Sequence, residues 1–201
     1  MRRVILRRGG SRDPEGVGDE PVSPRSVLLS LKVWAMDTTR VVWELEQRRL
    51  IAETLQDYCE FVDRNDPATL VARVFAPEGS FELGPKHAVV GRDNLVRMFA
   101  KTLAAFTATS HHLSNVRIAF EGEARASATA YVYAWHSTVA GARIEAWGRY
   151  ADRLVLLKEG WRIENRHLSM AGSDGWPDAP FQLLERLPNP VDPPAPTIVR
   201  R

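Results

Sequence analysis

The most constraining feature of this sequence is a strictly alternating segment between residues 126 and 136. Its even positions hold five small or aliphatic residues and one histidine, namely Ala126, Ala128, Ala130, Val132, Ala134 and His136. Aromatic residues take the odd positions of its second half, namely Tyr131, Tyr133 and Trp135. Because successive side chains of a strand point to opposite faces, this pattern predicts a strand with one face of small side chains. Such a face leaves room for a ligand if it lines a cavity.

Three further segments with strand-like alternation flank this one. They run from Val116 to Phe120, from Arg143 to Leu157, and from Trp161 to about Leu168. Short turn signals rich in Gly, Glu and Lys separate the segments, and such short connections predict antiparallel pairing. The second segment places four residues on a common face, namely Gly148, Tyr150, Asp152 and Leu154. Two shorter strands, 80–83 and 87–90, precede this block.

Three segments have the apolar spacing of helices. The first spans Thr38 to Asp63, with one apolar stripe formed by Ile51, Leu55, Tyr58, Cys59 and Val62. Asp66-Pro67 has the residue types of a helix cap and first position, and it predicts a second helix to about Phe75. A third helix is predicted from Asp93 to about Ala104. Together the segments predict an α+β domain, in which helices cover one face of a bent sheet and enclose a cone-shaped cavity.

The composition favours one globular domain with extended ends. The net charge of +2 does not indicate nucleic acid as a partner, and no apolar segment reaches the roughly 20 residues that cross a membrane. The single cysteine, Cys59, favours a reducing compartment, the cytoplasm. Residues 1–37 and the Pro-rich residues 173–201 are predicted to be disordered or extended tails around a folded domain of residues 38–172. Residues 181–184 could pack back on the domain, and either Met1 or Met36 could be the start.

Two adjacent histidines, His111 and His112, mark the start of the strand block. A neutral imidazole accepts and releases protons near neutral pH, so a histidine that faces a cavity can act as a general base. In a strand the two rings point to opposite faces, so they cannot enter one pocket or bind one metal ion together. His111 is therefore the candidate base, and a partly buried His111 with a structural hydrogen bond is the alternative.

Six short motifs, in this order along the chain, resemble SnoaL-like proteins of the nuclear transport factor 2-like superfamily. They are Tyr58–Asp66, Phe75-Ala76-Pro77, Gly91-Arg92, Ser110–Leu113, Gly148–Arg153 and Gly160–Ile163. The resemblance spans roughly residues 42–170, and its enzymatic patterns are similar to those of scytalone dehydratase and bile-acid 7α-dehydratase. It implies a cone-shaped α+β barrel, a curved antiparallel sheet with three N-terminal helices packed in its concave face. It also implies a homodimer that needs no cofactor.

The resemblance further implies roles for four residues as catalytic groups. His111 occupies the position of the base in these dehydratases, and Asp63 that of a helix aspartate which pairs with a histidine. Tyr58 precedes Asp63 by the same five residues as in bile-acid 7α-dehydratase, and its phenol could donate to a developing enolate oxygen. His136 aligns with the second histidine of scytalone dehydratase, so it could polarise a leaving hydroxyl or pair with Asp63. The alternatives are a solvent-exposed Asp63 and a Tyr58 that only fills the core.

Four further residues are predicted to contact substrate, namely Asp152, Tyr150, Arg166 and Leu83. Asp152 is expected to hold the His111 ring by its other nitrogen. Arg166 could bind an anionic group; alternatively, it is an ordinary cation on the protein surface. Leu83, with Glu82 beside it, stands where related enzymes have a catalytic aspartate or tyrosine, which speaks against isomerase chemistry by that route.

These observations predict a cofactor-independent lyase. It would be a dehydratase, or a related isomerase or cyclase, that acts on a small apolar ring compound through proton abstraction by His111, without a metal. The alternative is a non-catalytic small-molecule-binding or accessory protein of the same fold, including a relative of the small subunit of ring-hydroxylating dioxygenases. Neither prediction identifies the substrate, because superfamily members with this fold have many activities.

Overall fold

The computed structural model describes residues 24–84, 87–176 and 182–184. Its elements are α1 (Pro24–Asp63), α2 (Pro67–Val74), β1 (Phe75–Gly84), β2 (His87–Val90), α3 (Arg92–Leu103), β3 (Phe106–Phe120), β4 (Arg125–Thr138), β5 (Arg143–Leu157), β6 (Gly160–Asp174) and β7 (Gln182–Leu183). None of these helices is long and apolar enough to cross a lipid bilayer.

Contacts along the chain divide it into two units, Met1–Glu44 and Leu45–Arg201. Of the first unit the structure describes residues 24–44, which are helical and belong to α1. This helix therefore begins at Pro24, before the start predicted at Thr38. The rest of the predicted N-terminal tail, and most of the predicted C-terminal tail, lie outside the described residues.

The strands of the second unit form one curved, unclosed sheet in the order β2-β1-β6-β5-β4-β3, with β7 beside β6. The α+β cone fold predicted from the sequence is confirmed. The sheet is mixed, however, because β1 pairs with β6 in parallel and so does β7. Local alternation could not predict this, since β6 returns beside β1 only after four intervening strands. Only two of the three helices precede the sheet, because α3 follows β2.

Strand β4 has the two faces that its alternation predicts. The small residues at even positions and His136 are buried, whereas Tyr131 and Tyr133 are exposed on the other face. Strand β5 matches it, with Tyr150, Asp152 and Leu154 on the buried face. The two strands pair antiparallel along their whole length. Their common buried face forms one wall of the interior.

Helices α2 and α3 pack against each other and against β1. Asp66 caps α2 as predicted, since its Oδ1 accepts a hydrogen bond from the backbone N–H of Thr69 at 3.0 Å. Arg92 at the start of α3 donates to the carbonyl oxygen of Phe75 at 2.9 Å. The apolar faces of the two helices pack Leu70, Val71, Val74, Leu95 and Phe99 into the core.

Among the strands that the structure describes, β3 pairs with β4 alone and forms an edge of the sheet. A free edge exposes unpaired N–H and C=O groups. Side chains of α1 bind two of these groups: Arg48 donates to the carbonyl oxygen of Ile118 at 2.8 Å, and Asp63 accepts from the N–H of His111 at 2.9 Å. The C-terminal end of α1 is thereby held against the start of β3.

Candidate active site

The second unit contains a partly open cavity of about 200 Å³ between the buried sheet face and the helices. Most side chains of its wall are apolar, and they come from α1, α3 and strands β1, β3, β4, β5 and β6. The polar side chains in the described part of the wall are Tyr58, Thr102, His111, His136 and Tyr150. The cavity can therefore hold an apolar molecule in contact with a few polar groups.

His111 lies in the wall of this cavity and is hydrogen-bonded to Asp63. Its ring Nδ1 lies 2.7 Å from Asp63 Oδ1, and the same oxygen accepts a hydrogen bond from the Thr109 hydroxyl at 2.8 Å. Only 8% of the His111 side chain is exposed, against 28% for Asp63. Asp63 lies behind the ring, in an outer groove between α1 and β3. The carboxylate therefore orients the imidazole from outside the cavity.

The surroundings of Asp63 keep it ionised. Burial raises the pKa of this carboxyl, but hydrogen bonds from the ring and backbone of His111 and from Thr109 outweigh it, so its pKa is lowered. An ionised carboxylate favours the tautomer of His111 with a proton on Nδ1. In that tautomer the Nε2 atom of His111 carries the free lone pair.

His136 lies beside His111 on the neighbouring strand. Thr109 of β3 pairs with His136 and His111 pairs with Ala134, so both histidines share the inner face. The two rings lie edge to face with their centroids 5.3 Å apart, and His136 also contacts Phe106 and Trp176. Burial, and to a lesser extent His111, lowers the pKa of His136 to about 4. His136 is thus neutral at pH 7, and the hydrogen-bonded pairing with Asp63 considered from the sequence is not seen.

Tyr58 of α1 and Tyr150 of β5 form an aromatic pair in the cavity wall. Both are buried, with their ring centroids 5.5 Å apart, and Tyr58 lies 6.5 Å from the His111 ring. Burial raises the pKa of Tyr58 to about 12, against the charge of Arg166 and a hydrogen bond from Tyr150. Both tyrosines remain protonated, so their hydroxyls are hydrogen-bond donors.

Asp152 and Arg166 do not occupy the positions expected from the sequence. Neither lines the cavity, and neither side chain has any exposed surface. Asp152 does not hold His111; its two carboxylate oxygens accept hydrogen bonds from Arg166 at 2.7 and 2.8 Å. Arg166 is therefore not a surface cation, and its planar guanidinium lies 4.2 and 4.1 Å from the ring centroids of Tyr58 and Tyr150.

A β-bulge explains why the burial of Arg166 was missed. Trp161 and Ile163 are buried, and continued alternation would place Arg166 on the outer face. The register between β5 and β6 shifts after Ile163, so that Arg166 faces Asp152 across the two strands. This bulge reverses the faces of the following residues as far as Met170, where the register with β5 shifts a second time.

The remaining residues considered from the sequence lie on both faces of the sheet. Leu83 lines the cavity, whereas its neighbour Glu82 lies on the other face, 3.3 Å from the Nδ1 atom of His167. His112 points away from the cavity and contacts Tyr133, as alternation predicts. Among the described residues, no three His, Cys, Asp or Glu side chains are grouped to hold a metal ion.

Three residues of the site were not predicted. Thr109 supports Asp63, and its position two residues before His111 on the same strand face could have identified it. Phe106 and Trp176 line the cavity beside His136. Their positions depend on where the chain enters β3 and leaves β6, for which the sequence gives no local signal.

A histidine–aspartate pair at the wall of an apolar cavity, under a curved sheet covered by helices, defines a domain that binds or transforms small molecules. The sequence comparison is in agreement with this class. Residues 43–167 match the SnoaL-like domain family, and the chain belongs to that family. No protein of curated function matches the sequence significantly.

Solved structures extend the similarity to the whole cone domain. A candidate scytalone dehydratase from Novosphingobium aromaticivorans DSM 12444 is 25% identical, with a TM-score of 0.70 over 74% of this chain and 99% of that one. A type 2 hexachlorocyclohexane dehydrochlorinase, LinA, is 14% identical, with a TM-score of 0.61 over 75% of this chain and 99% of that one. A candidate dehydratase from Streptomyces avermitilis is 15% identical, with a TM-score of 0.56 over 62% and 96%. The last two similarities concern the fold alone.

Proposed function

We propose that this protein is a cofactor-independent lyase that dehydrates a small apolar ring compound, or a related isomerase or cyclase. The observation that carries this proposal is the 2.7 Å contact between His111 and Asp63 at the wall of the apolar cavity. A histidine held by a carboxylate is a general base with a fixed tautomer. Such a base accelerates a reaction by a factor of about 10²–10⁴. The similarity to a candidate scytalone dehydratase supports the same reaction class.

The proposed reaction begins with a ring ketone that carries a hydroxyl group on the carbon β to its carbonyl. Nε2 of His111 removes a proton from the α-carbon, and Asp63 stabilises the imidazolium that forms. The hydroxyl of Tyr58 donates to the oxygen of the developing enolate. The enolate then expels the β-hydroxyl, whose C–O bond breaks as a C=C bond forms, and the proton on His111 converts the departing hydroxide to water. His136 contacts the leaving oxygen.

Replacement of His111 tests this proposal directly. For the dehydration of β-hydroxy ketones on one or two rings, the kcat of the H111A variant should be lower by a factor of about 10²–10⁴, because the base is absent. The matched control is H112A, which removes the adjacent imidazole from the outer face and should leave turnover unchanged. Equal turnover in H111A and the unmodified protein would remove His111 as the base.

The second candidate is a binding or accessory protein of the same fold, including a dioxygenase small-subunit relative. It is favoured by the apolar character of most of the cavity wall, which binds a ring compound without any chemistry. Recovery of an unaltered ring compound from the purified protein, or of a partner chain that carries iron, would support this candidate. Turnover that depends on His111 would exclude it.

We also propose that the chain forms a homodimer through the outer face of its sheet. Tyr131, Tyr133 and Trp147 of neighbouring strands are each about 40% exposed there, at 42%, 39% and 40%. Clusters of exposed aromatic side chains mark protein interfaces. For the compartment, the single cysteine supports the cytoplasm, which microscopy of a tagged chain would test.

A further inference from the structure

The cavity has a distinctive charge environment. In the part of its wall that the structure describes there is no Asp, Glu, Lys or Arg side chain. His136 is neutral at pH 7 because burial lowers its pKa to about 4. Asp63 lies directly behind His111, so a proton on that ring would be paired with a carboxylate. An anionic ligand would therefore lose its hydration in this cavity without gaining a counter-charge, which is costly.

One full positive charge nevertheless lies immediately behind the wall. The guanidinium of Arg166 stacks against Tyr58 and Tyr150, both of which line the cavity, at 4.2 and 4.1 Å from their ring centroids. Its side chain has no exposed surface, so water does not screen it. Without compensation, this charge would attract an anion bound on the other side of the two rings.

Asp152 supplies that compensation. It binds Arg166 through two parallel hydrogen bonds of 2.7 and 2.8 Å, and it is as fully buried as its partner. A bidentate pair of this geometry has no net charge and a small external field. The carboxylate lies outside the cavity, so it affects a ligand without contact, through a field that offsets the field of Arg166.

We propose that Asp152 sets the charge selectivity of this cavity: by neutralising Arg166, it makes the cavity accept uncharged ring compounds and exclude anionic ones. The volume of about 200 Å³ is below the roughly 300–1,000 Å³ of pockets for drug-sized ligands, which restricts the ligand to one or two fused rings. This inference deepens the proposed function by defining its substrate class. It rests on that function only in using the same cavity, because binding is measured without turnover.

The test compares two probes of similar shape, 2-naphthol, which is uncharged at pH 7, and 2-naphthoate, which is an anion. Titration calorimetry on the full chain should give a Kd for 2-naphthol at least about ten-fold lower than that for 2-naphthoate. In D152N, Arg166 keeps its charge without a counter-charge. The ratio of the Kd for 2-naphthoate to the Kd for 2-naphthol should therefore fall by about ten-fold or more, because 2-naphthoate binds more tightly. The matched control is E82Q, which removes a carboxylate from the outer face of the same sheet and should leave the ratio unchanged.

A double variant keeps the test decisive if D152N fails to fold. D152L/R166M removes both charges, and buried ion pairs replaced by apolar residues often retain stability; its preference for 2-naphthol should persist. Equal or tighter binding of 2-naphthoate by the unmodified protein, or no binding of either probe, would overturn the proposal. So would an unchanged ratio in folded D152N. Selective binding of 2-naphthol together with full turnover in H111A would instead leave the selectivity intact and reject the proposed reaction.

Discussion

At the residue scale, the site depends on a division of labour between His111 and Asp63. His111 contacts the cavity, whereas Asp63 lies behind it and is partly exposed to solvent. Such a carboxylate never touches a ligand, yet it holds the ring, the backbone N–H and the Thr109 hydroxyl together. Its removal should therefore affect the chemical step and leave ligand affinity nearly intact.

We expect D63N to lower kcat by a factor of about 10²–10⁴ with little change in KM. A neutral amide in place of the carboxylate no longer fixes the tautomer of neutral His111 or stabilises the imidazolium that forms from it. The free energy of unfolding should fall by about 1 kcal/mol, a value reduced for the exposure of this side chain. Since the pKa of Asp63 is lowered on folding, its stabilising effect is present above the ordinary carboxyl pKa and is lost as the pH falls through its folded value.

Steady-state kinetics and urea unfolding of D63N measure both effects. D66N is the control, because Asp66 is also a carboxylate near the end of α1 and asparagine caps α2 equally well. A D63N variant with unaltered kcat would show that the carboxylate has no part in the reaction.

At the element scale, single strands were predictable and the pairing between distant ones was not. The burial of alternate residues along β4 follows from a period of two, so the inner position of His136 could be predicted from local sequence. The contact of Asp63 with His111, 48 residues apart, was expected only through the family resemblance. The bond between Asp152 and Arg166 depends on the bulge in β6 and on the register with β5, which no local pattern encodes.

Strand β4 also introduces an acid-sensitive group into the core. His136 has a pKa of about 4 in the folded chain, against 6.5 in the unfolded one, mainly because of burial. Between these two values the unfolded chain binds a proton at this site that the folded chain does not, so His136 causes a decrease in the free energy of unfolding as the pH falls from 6.5 to 4. This contribution should amount to about 3 kcal/mol.

Urea unfolding of H136F at several pH values between about 7 and about 4.5 measures this contribution. The variant should be as stable as the unmodified protein at pH 7, since a phenyl ring fills the same apolar site, and it should lose less stability in acid. H167F is the control, because His167 lies in the same sheet outside the cavity and is partly exposed. Identical acid profiles for H136F and the unmodified protein would contradict the buried, neutral state of His136.

At the scale of the whole molecule, the curved sheet has two faces with different roles. The inner face lines the cavity, and the outer face carries aromatic side chains on β4 and β5. Trp147 lies flat on this outer face, because Gly172 opposite it has no side chain; a Cβ there would lie only 2.9 Å from the indole nitrogen. A flat indole with Tyr133 directly opposite it on β4 is well suited to pack against a second copy of the same surface.

We therefore expect the full chain to elute with twice its mass of 22.6 kDa in size-exclusion chromatography with light scattering. W147E should shift it to the monomer, because a charge buried in the centre of the interface without a partner costs several kcal/mol. V139E is the control: Val139 is 67% exposed but lies in the turn between β4 and β5, away from the aromatic face. If the unmodified chain is monomeric, or if W147E and V139E dimerise equally, the outer face is not the dimer interface. The cavity lies on the opposite side of the sheet, so a monomeric W147E should keep the 2-naphthol affinity of the unmodified protein, which separates assembly from ligand binding.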